Sequence, residues 1–186
     1  MVELLTHLQS DQHVAILNQY YKVAAEFERL GDHAVNISDI AGKLAEGNTV
    51  FSDACKKELA VLLSLIEAIL DDCEVSFRDR NADVASSIEP KVRVVLELVD
   101  RLINNHFNRM SAGQCSLLAD TAFTNLMGEY KRIAAICSNV GIATMIRVHP
   151  DLADHEHLFF ETLHHQGDAR YNRVFEETRK QYFELL

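Results

Sequence analysis

Residues 28–37 read ERLGDHAVNI and lie within a long stretch that has helical periodicity. Around this segment, apolar side chains recur at alternating spacings of four and three residues, which places them on one face of a helix. This face consists of Ile16, Tyr20, Val23, Phe27, Leu30, Ala34, Ile37, Ala41 and Leu44. Ser10 and Asp11 are suitable N-cap residues, and Gly47 is a suitable C-terminal cap. The sequence therefore predicts one long helix between these caps, with its apolar face in the core of a bundle.

Three further long helices are expected from the same kind of pattern. They cover about residues 53–78, 82–110 and 116–147, and Pro90 should either kink the third helix or mark its true start. Beyond Pro150, shorter helical pieces are expected at about residues 155–164 and from residue 168 to the end. Only 2 prolines and 7 glycines interrupt the 186 residues, which favours long helices over a many-turned β fold. The predicted fold class is all-α.

The composition argues against several classes of protein. The formal net charge is −10 and the basic residues form no patch, so we expect no binding to nucleic acid or anionic lipid. The four cysteines include no CxxC pair, and we expect them to be reduced and mostly in the core. No stretch approaches the roughly 20 apolar residues of a membrane span, and the N terminus does not resemble a signal peptide. These features predict a cytoplasmic chain without direct membrane insertion.

The common catalytic motifs are also missing from the sequence. It contains no GxGxxG, P-loop, GxSxG or HExxH motif, so we expect a non-enzymatic protein. A metal-dependent enzyme on a degenerate bundle scaffold is the alternative that this leaves open. Several histidines cluster near the end of the chain, where they are either surface residues or ligands of zinc or nickel. They are His149, His155, His157, His164 and His165.

The first and fourth predicted helices form an internal repeat. Their apolar positions align when the second copy is read 103 residues after the first, for example Tyr20 with Phe123 and Phe27 with Tyr130. Three polar identities fall in the same register, namely Glu26 with Glu129, Arg29 with Arg132 and Asn36 with Asn139. A shared register for both apolar and polar residues favours duplication of a helical unit.

The repeat predicts two units, at residues 1–80 and 81–186. In this alignment, residues 55–78 match residues 158–181, whereas most of residues 82–110 have no counterpart in the first unit. The first bundle would then lack its opening helix and expose an apolar groove. Such a groove would attract a helix from another copy, so we expect a homo-oligomer.

Acidic side chains form a stripe on the outer face of the first helix. Glu28 and Asp32 lie one turn apart, far from the apolar face, and Asp39 continues the stripe. Like charges at this spacing repel each other, and a bound cation would remove the repulsion. Carboxylate oxygens suit hard cations such as Mg²⁺, Ca²⁺, Mn²⁺ or iron. The alternative is a solvated acidic face without a ligand, which the same spacing fits.

The segment at residues 28–37 resembles the hallmark helix of the PhoU family, whose pattern is E-R-I-G/A-D-H-x-x-N-I. Arg29, His33 and Asn36 occupy motif positions. The second copy, residues 131–140, reads KRIAAICSNV and matches the motif at Arg132 and Asn139. The resemblance implies tandem antiparallel three-helix bundles, each carrying this helix once.

The resemblance also implies a metal site, because family members can hold multinuclear clusters on the outer faces of these helices. Glu28 and Asp32 match the family's paired acids, which makes a divalent metal or an iron cluster a candidate cofactor. Lys131 and Ala135 replace the acids in the second copy, so a site there is expected to be lost. The segment from His155 onward is similar to the tail of the PhoU-like domain of bacterial sodium/phosphate cotransporters.

Together, these similarities imply a regulator of phosphate transport. It would be the cytosolic part of a sodium/phosphate cotransporter and would be associated with the membrane through a transporter part that is not in this chain. Its expected partners are the membrane domain of a phosphate transporter or phosphate-signalling proteins. Two alternatives remain open, a ligand-free oligomerisation module of a transporter and a free-standing phosphate-signalling regulator.

Overall fold

The structure is a computed structural model that describes residues 11–150, 152 and 169–186. Within these residues the chain forms five packed helices and no strand, which confirms the predicted all-α class. The helices are α1 (Asp11–Glu46), α2 (Asp53–Asp79), α3 (Ala82–Ser111), α4 (Leu117–Val148) and α5 (Ala169–Phe183). The predicted cap at Ser10, the helical piece at residues 155–164 and all the clustered histidines except His149 lie outside the described residues.

The helix ends follow the capping chemistry of the sequence. Ser52 accepts a hydrogen bond from the Cys55 amide at 3.3 Å and Ser116 accepts one from the Ala119 amide at 3.2 Å, which fixes the starts of α2 and α4. α1 ends directly before Gly47, as predicted. A Cβ atom at Gly47 would lie only 2.4 Å from Leu118 Cδ2, because this connection packs against the start of α4. Pro90 does not mark a helix start, because it lies buried inside α3.

Helix α3 is central, since it packs against α2, α4 and α5. Helix α4 also contacts α2, and these helices enclose the fully buried side chains of the core. Helix α1 lies along α4 and touches α2 through aromatic rings, with Phe77 at 5.5 Å from Tyr20 and 6.1 Å from Phe27 between ring centroids. Helix α2 therefore shares its core with α3 and α4, and a division of the chain near residue 80 stays a prediction.

The apolar pattern of these helices is that of a packed bundle. None of the helices within the described residues is long and apolar enough to span a lipid bilayer.

Candidate functional site

The interface between α1 and α4 contains the residues of the repeated motif. Helix α1 turns a partly polar face toward α4. The buried or half-buried residues of this α1 face are Gln19, Val23, Glu26, Leu30, His33, Ile37, Ile40 and Leu44. The face predicted from the apolar pattern has two rows of side chains, and only the row with Val23, Leu30, Ile37 and Leu44 belongs to this observed face. The other predicted row, which includes Tyr20, Phe27, Ala34 and Ala41, is exposed. The prediction that Phe27 faces the core is therefore wrong, because α4 covers the neighbouring row that contains Glu26 and His33.

Glu129 on α4 is buried at the centre of a polar cluster. His33 Nδ1 lies 2.6 Å from Glu129 Oε2, and Asn36 Nδ2 donates to the same oxygen at 3.1 Å. Arg132 Nη1 donates to Oε1 at 2.7 Å. Because only 8% of the Glu129 side chain is exposed, these donors replace water around a carboxylate that would otherwise be costly to bury.

The same contacts keep Glu129 ionised. Burial raises the pKa of Glu129, but hydrogen bonds from His33 and Asn36, together with the positive charge of His33 and Arg132, outweigh it. The net effect is a pKa below the usual value for glutamate. With a charged acceptor at 2.6 Å, His33 Nδ1 carries the hydrogen of this bond.

Glu26 on α1 is the centre of a second, more exposed cluster. Asn139 Nδ2 donates to Glu26 Oε1 at 3.0 Å, and Arg29 Nη1 donates to Oε2 at 3.2 Å. The side chain of Glu26 is 16% exposed, twice the exposed fraction of Glu129. Arg29 therefore pairs with Glu26 of its own helix.

The two clusters exchange partners between the repeats. Asn36 of the first copy binds Glu129 of the second, and Asn139 of the second copy binds Glu26 of the first. This order of pairing indicates that α1 and α4 are antiparallel and are related by an approximate twofold axis. The symmetry breaks at His33, whose counterpart is Ile136. The sequence repeat identifies Glu26 and Glu129 as matching positions. Their role as hydrogen-bond acceptors for the motif residues is visible only in the structure.

A row of clefts follows the outer side of the α1–α4 interface. The central cleft has a volume of about 410 Å³ and is lined by Arg29, Asp32, His33, Arg132, Ala135, Ile136 and Asn139. The end clefts measure about 390 and 480 Å³, and they correspond through the repeat, with Glu26 and Asn139 in one and Glu129 and Asn36 in the other. Ile142 and Ile146 make the first end apolar, whereas Asp39 and Lys43 occupy the matching places at the second end.

The predicted metal ligands Glu28, Asp32 and Asp39 are all exposed on α1. Asp32 lines the central cleft and Asp39 lines the second end cleft, whereas Glu28 lines neither. In the described part of the chain, no group of three or more His, Cys, Asp or Glu side chains could hold a metal ion. A cation at Glu28 and Asp32 stays a prediction from the sequence.

The second copy has a different arrangement at the same positions. Lys131 Nζ, which replaces the expected acid, pairs with Asp100 Oδ1 of α3 at 3.1 Å. Glu89 of α3 accepts a hydrogen bond from Ser138 of α4. Both side chains therefore hold α3 against α4.

A scan of protein-family models, a search of curated proteins and a search of solved structures each gave no match. The resemblance to the PhoU family accordingly stays a prediction from the motif at residues 28–37.

Proposed function

We propose that this chain is a non-enzymatic regulatory domain of phosphate transport, in the form of a PhoU-like pair of helical bundles. The observation that carries the proposal is the use of the motif residues at the α1–α4 interface. Arg29, His33 and Asn36 from one copy, with Arg132 and Asn139 from the other, all donate to Glu26 or Glu129. The motif residues join the two copies of the repeat. Such contacts suit a tandem regulatory domain, because a partner can then bias the position of one copy relative to the other.

The exposed row on α1 supports a function through docking. Tyr20 and Phe27 are 40% and 39% exposed, whereas their counterparts Phe123 and Tyr130 on α4 are 1% and 7% exposed. Helices α2 and α3 both pack against α4, and no described helix equivalent to α3 packs on α1. We define the docking row as Ile16, Tyr20, Phe27, Ala34 and Ala41. Its proposed occupant in the cell is a helix of a phosphate-transporter membrane domain, which would hold this chain on the cytosolic side.

The docking row is tested by a charge substitution with a matched control. Tyr20→Asp combined with Phe27→Asp places charges on the row, and Phe107→Asp does the same on an exposed part of α3, where Phe107 is 60% exposed. In cells that carry these variants, the row variant should lose repression of phosphate uptake at high phosphate, and Phe107→Asp should retain it. Unchanged uptake in the row variant would contradict the proposal.

A second candidate function follows from the same row. A ligand-free oligomerisation module would use it to bind another copy of the chain. Light scattering on purified protein distinguishes the two functions. A homo-oligomer that the row variant abolishes, combined with unchanged phosphate uptake, favours the oligomerisation module. A free-standing phosphate-signalling regulator would instead co-purify with signalling proteins and not with a transporter.

A cation at Glu28 and Asp32 is proposed as an addition to this function. Elemental analysis after dialysis against Mg²⁺, Mn²⁺ or Fe²⁺ should find metal on the wild type and less on Glu28→Ala. Equal metal content in the two proteins would remove the site. It would also favour a solvated acidic face.

A further inference from the structure

A small cavity lies at the end of the bundle where the α1–α2 connection meets the α3–α4 turn. It has a volume of about 30 Å³, which is enough for about one water-sized molecule. Cys55 from the first turn of α2, Cys115 from the α3–α4 turn and His106 from α3 all line it. Cys55 is buried, whereas Cys115 is partly exposed. Two thiols that are distant in sequence therefore share one cavity, and one of them is accessible from solvent.

His106 places a proton acceptor in this cavity. The residue is 4% exposed and its ring stacks on Phe123 at 4.1 Å between centroids. Its Nε2 lies 3.0 Å from Asp120 Oδ1, and because a carboxylate accepts, Nε2 carries the hydrogen. The lone pair is therefore on Nδ1, which is buried and has no hydrogen-bond partner among the residues described.

Arg109 provides positive charge near Cys55. Its Nη1 forms an ion pair with Glu58 Oε2 at 2.8 Å, and Asn105 donates to Glu58 Oε1 at 2.7 Å. Arg109 Nε and Nη2 are buried without a hydrogen-bond partner in the described part of the chain. Burial raises the pKa of Cys55 to about 11, and the Arg109 charge works in the opposite direction. Cys55 is thus a protonated thiol at rest, and it shares its cavity with the unpaired Nδ1 of His106.

We propose that Cys55 and Cys115 are a thiol pair that a hydroperoxide oxidises to a disulfide. In the first step, the accessible Cys115 Sγ takes an oxygen from hydrogen peroxide, which gives a sulfenic acid and one water. In the second step, Cys55 transfers its proton to His106 Nδ1, and its sulfur attacks the sulfur of Cys115. The S–S bond forms as the S–O bond breaks, and the leaving hydroxide takes the proton from His106 to give a second water. The disulfide ties the start of α2 to the α3–α4 turn.

The chain contains a matched control pair. Cys73 and Cys137 are also neighbours, with Cys73 Sγ–H donating to Cys137 O at 3.5 Å, and both are 1% exposed. The hydrogen bond with Cys137 and burial raise the pKa of Cys73 far above its ordinary value. Neither residue lines the cavity that holds His106. Because a thiolate is the reactive species, this pair should resist oxidation.

The experiment treats the reduced full chain with hydrogen peroxide, blocks free thiols in denaturant and maps peptides by mass spectrometry without reduction. The expected product has Cys55 linked to Cys115, with Cys73 and Cys137 still alkylated. Cys55→Ser should accumulate the Cys115 sulfenic acid, which dimedone traps, and Cys115→Ser should form no disulfide. Equal oxidation of the Cys73 pair, or Cys115 linked only between molecules, would overturn the proposal.

Two further variants test the role of His106 as a base. His106→Asn should slow formation of the disulfide at least about 10-fold without slowing trapping of the sulfenic acid. Because His106 is buried, circular dichroism checks that the His106→Asn variant folds. Asp120→Asn provides a second variant. It removes the carboxylate that keeps the Nδ1 lone pair facing the cavity, and it should slow the same step. Unchanged disulfide rates in both variants would assign the proton transfer to another group.

Discussion

Helices α1 and α4 carry the same repeated pattern, yet both rows of the apolar face are buried on α4, whereas only one of the two predicted apolar rows is buried on α1. On α4, the residues that align with the apolar face of α1 from Ile16 to Ala41 are all buried, namely Ala119, Phe123, Leu126, Tyr130, Ile133, Cys137, Val140 and Thr144. The equivalent face on α1 alternates between residues that are buried or half-buried against α4 and residues that are exposed. The difference arises because α4 packs against α1, α2 and α3, whereas α1 packs chiefly against α4. An apolar pattern therefore identifies a face that can be buried, but it does not tell how many neighbours cover that face.

The largest expected effect comes from truncating one aromatic residue in each copy. Phe123→Ala should lower the free energy of unfolding by about 3 to 5 kcal/mol, because Phe123 is fully buried and stacks on His106. Tyr20→Ala should lower it by about 1 kcal/mol, because Tyr20 is exposed on one side and loses an edge contact with Phe77. Urea denaturation of both variants measures the difference. Equal losses would mean that another molecule covers Tyr20 on α1 in solution.

The polar clusters provide the second test. Glu129→Gln should lower the free energy of unfolding by about 2 kcal/mol, because three donors lose a charged and buried acceptor. Glu26→Gln should lower it by less than about 1 kcal/mol, because the pair with Arg29 is exposed. The comparison uses chemical denaturation at neutral pH. A larger loss for Glu26→Gln would reverse the assignment of Glu129 as the main acceptor.

The pH dependence of the Glu129 effect is a third and smaller test. The pKa of Glu129 is lowered in the folded chain, so its ionised form contributes stability above the ordinary value of 4.5. This contribution is lost as the pH falls from 4.5 through the lower folded pKa. The difference in unfolding free energy between wild type and Glu129→Gln should therefore be constant near neutral pH and shrink in acid. A difference that persists unchanged in acid would rule out a stabilised carboxylate.

The sequence was sufficient for some of these features and not for others. Helix bounds followed from periodicity and caps, as at Gly47, because these signals are local. The row on α1 that faces α4 could not be predicted, since Glu26 and His33 are polar and become buried only through partners more than 90 residues away. The cavity between Cys55, His106 and Cys115 likewise depends on which connections meet at the end of the bundle.

The smallest expected effect comes from adding a single methyl group to each helix. Gly31 lies in the middle of α1, and a Cβ atom there would meet nothing within 4 Å. Gly31→Ala should therefore raise the free energy of unfolding by about 0.5 to 1 kcal/mol through helix propensity alone. In α4, a Cβ atom at Gly141 would lie 3.2 Å from the backbone oxygen of Ala85 and 3.2 Å from Ile88 Cδ1. Gly141→Ala gains the same propensity but must push α3 away, so it should be destabilising. Thermal melts of the two variants should shift in opposite directions, and a matching upward shift would show that α4 is packed as loosely as α1.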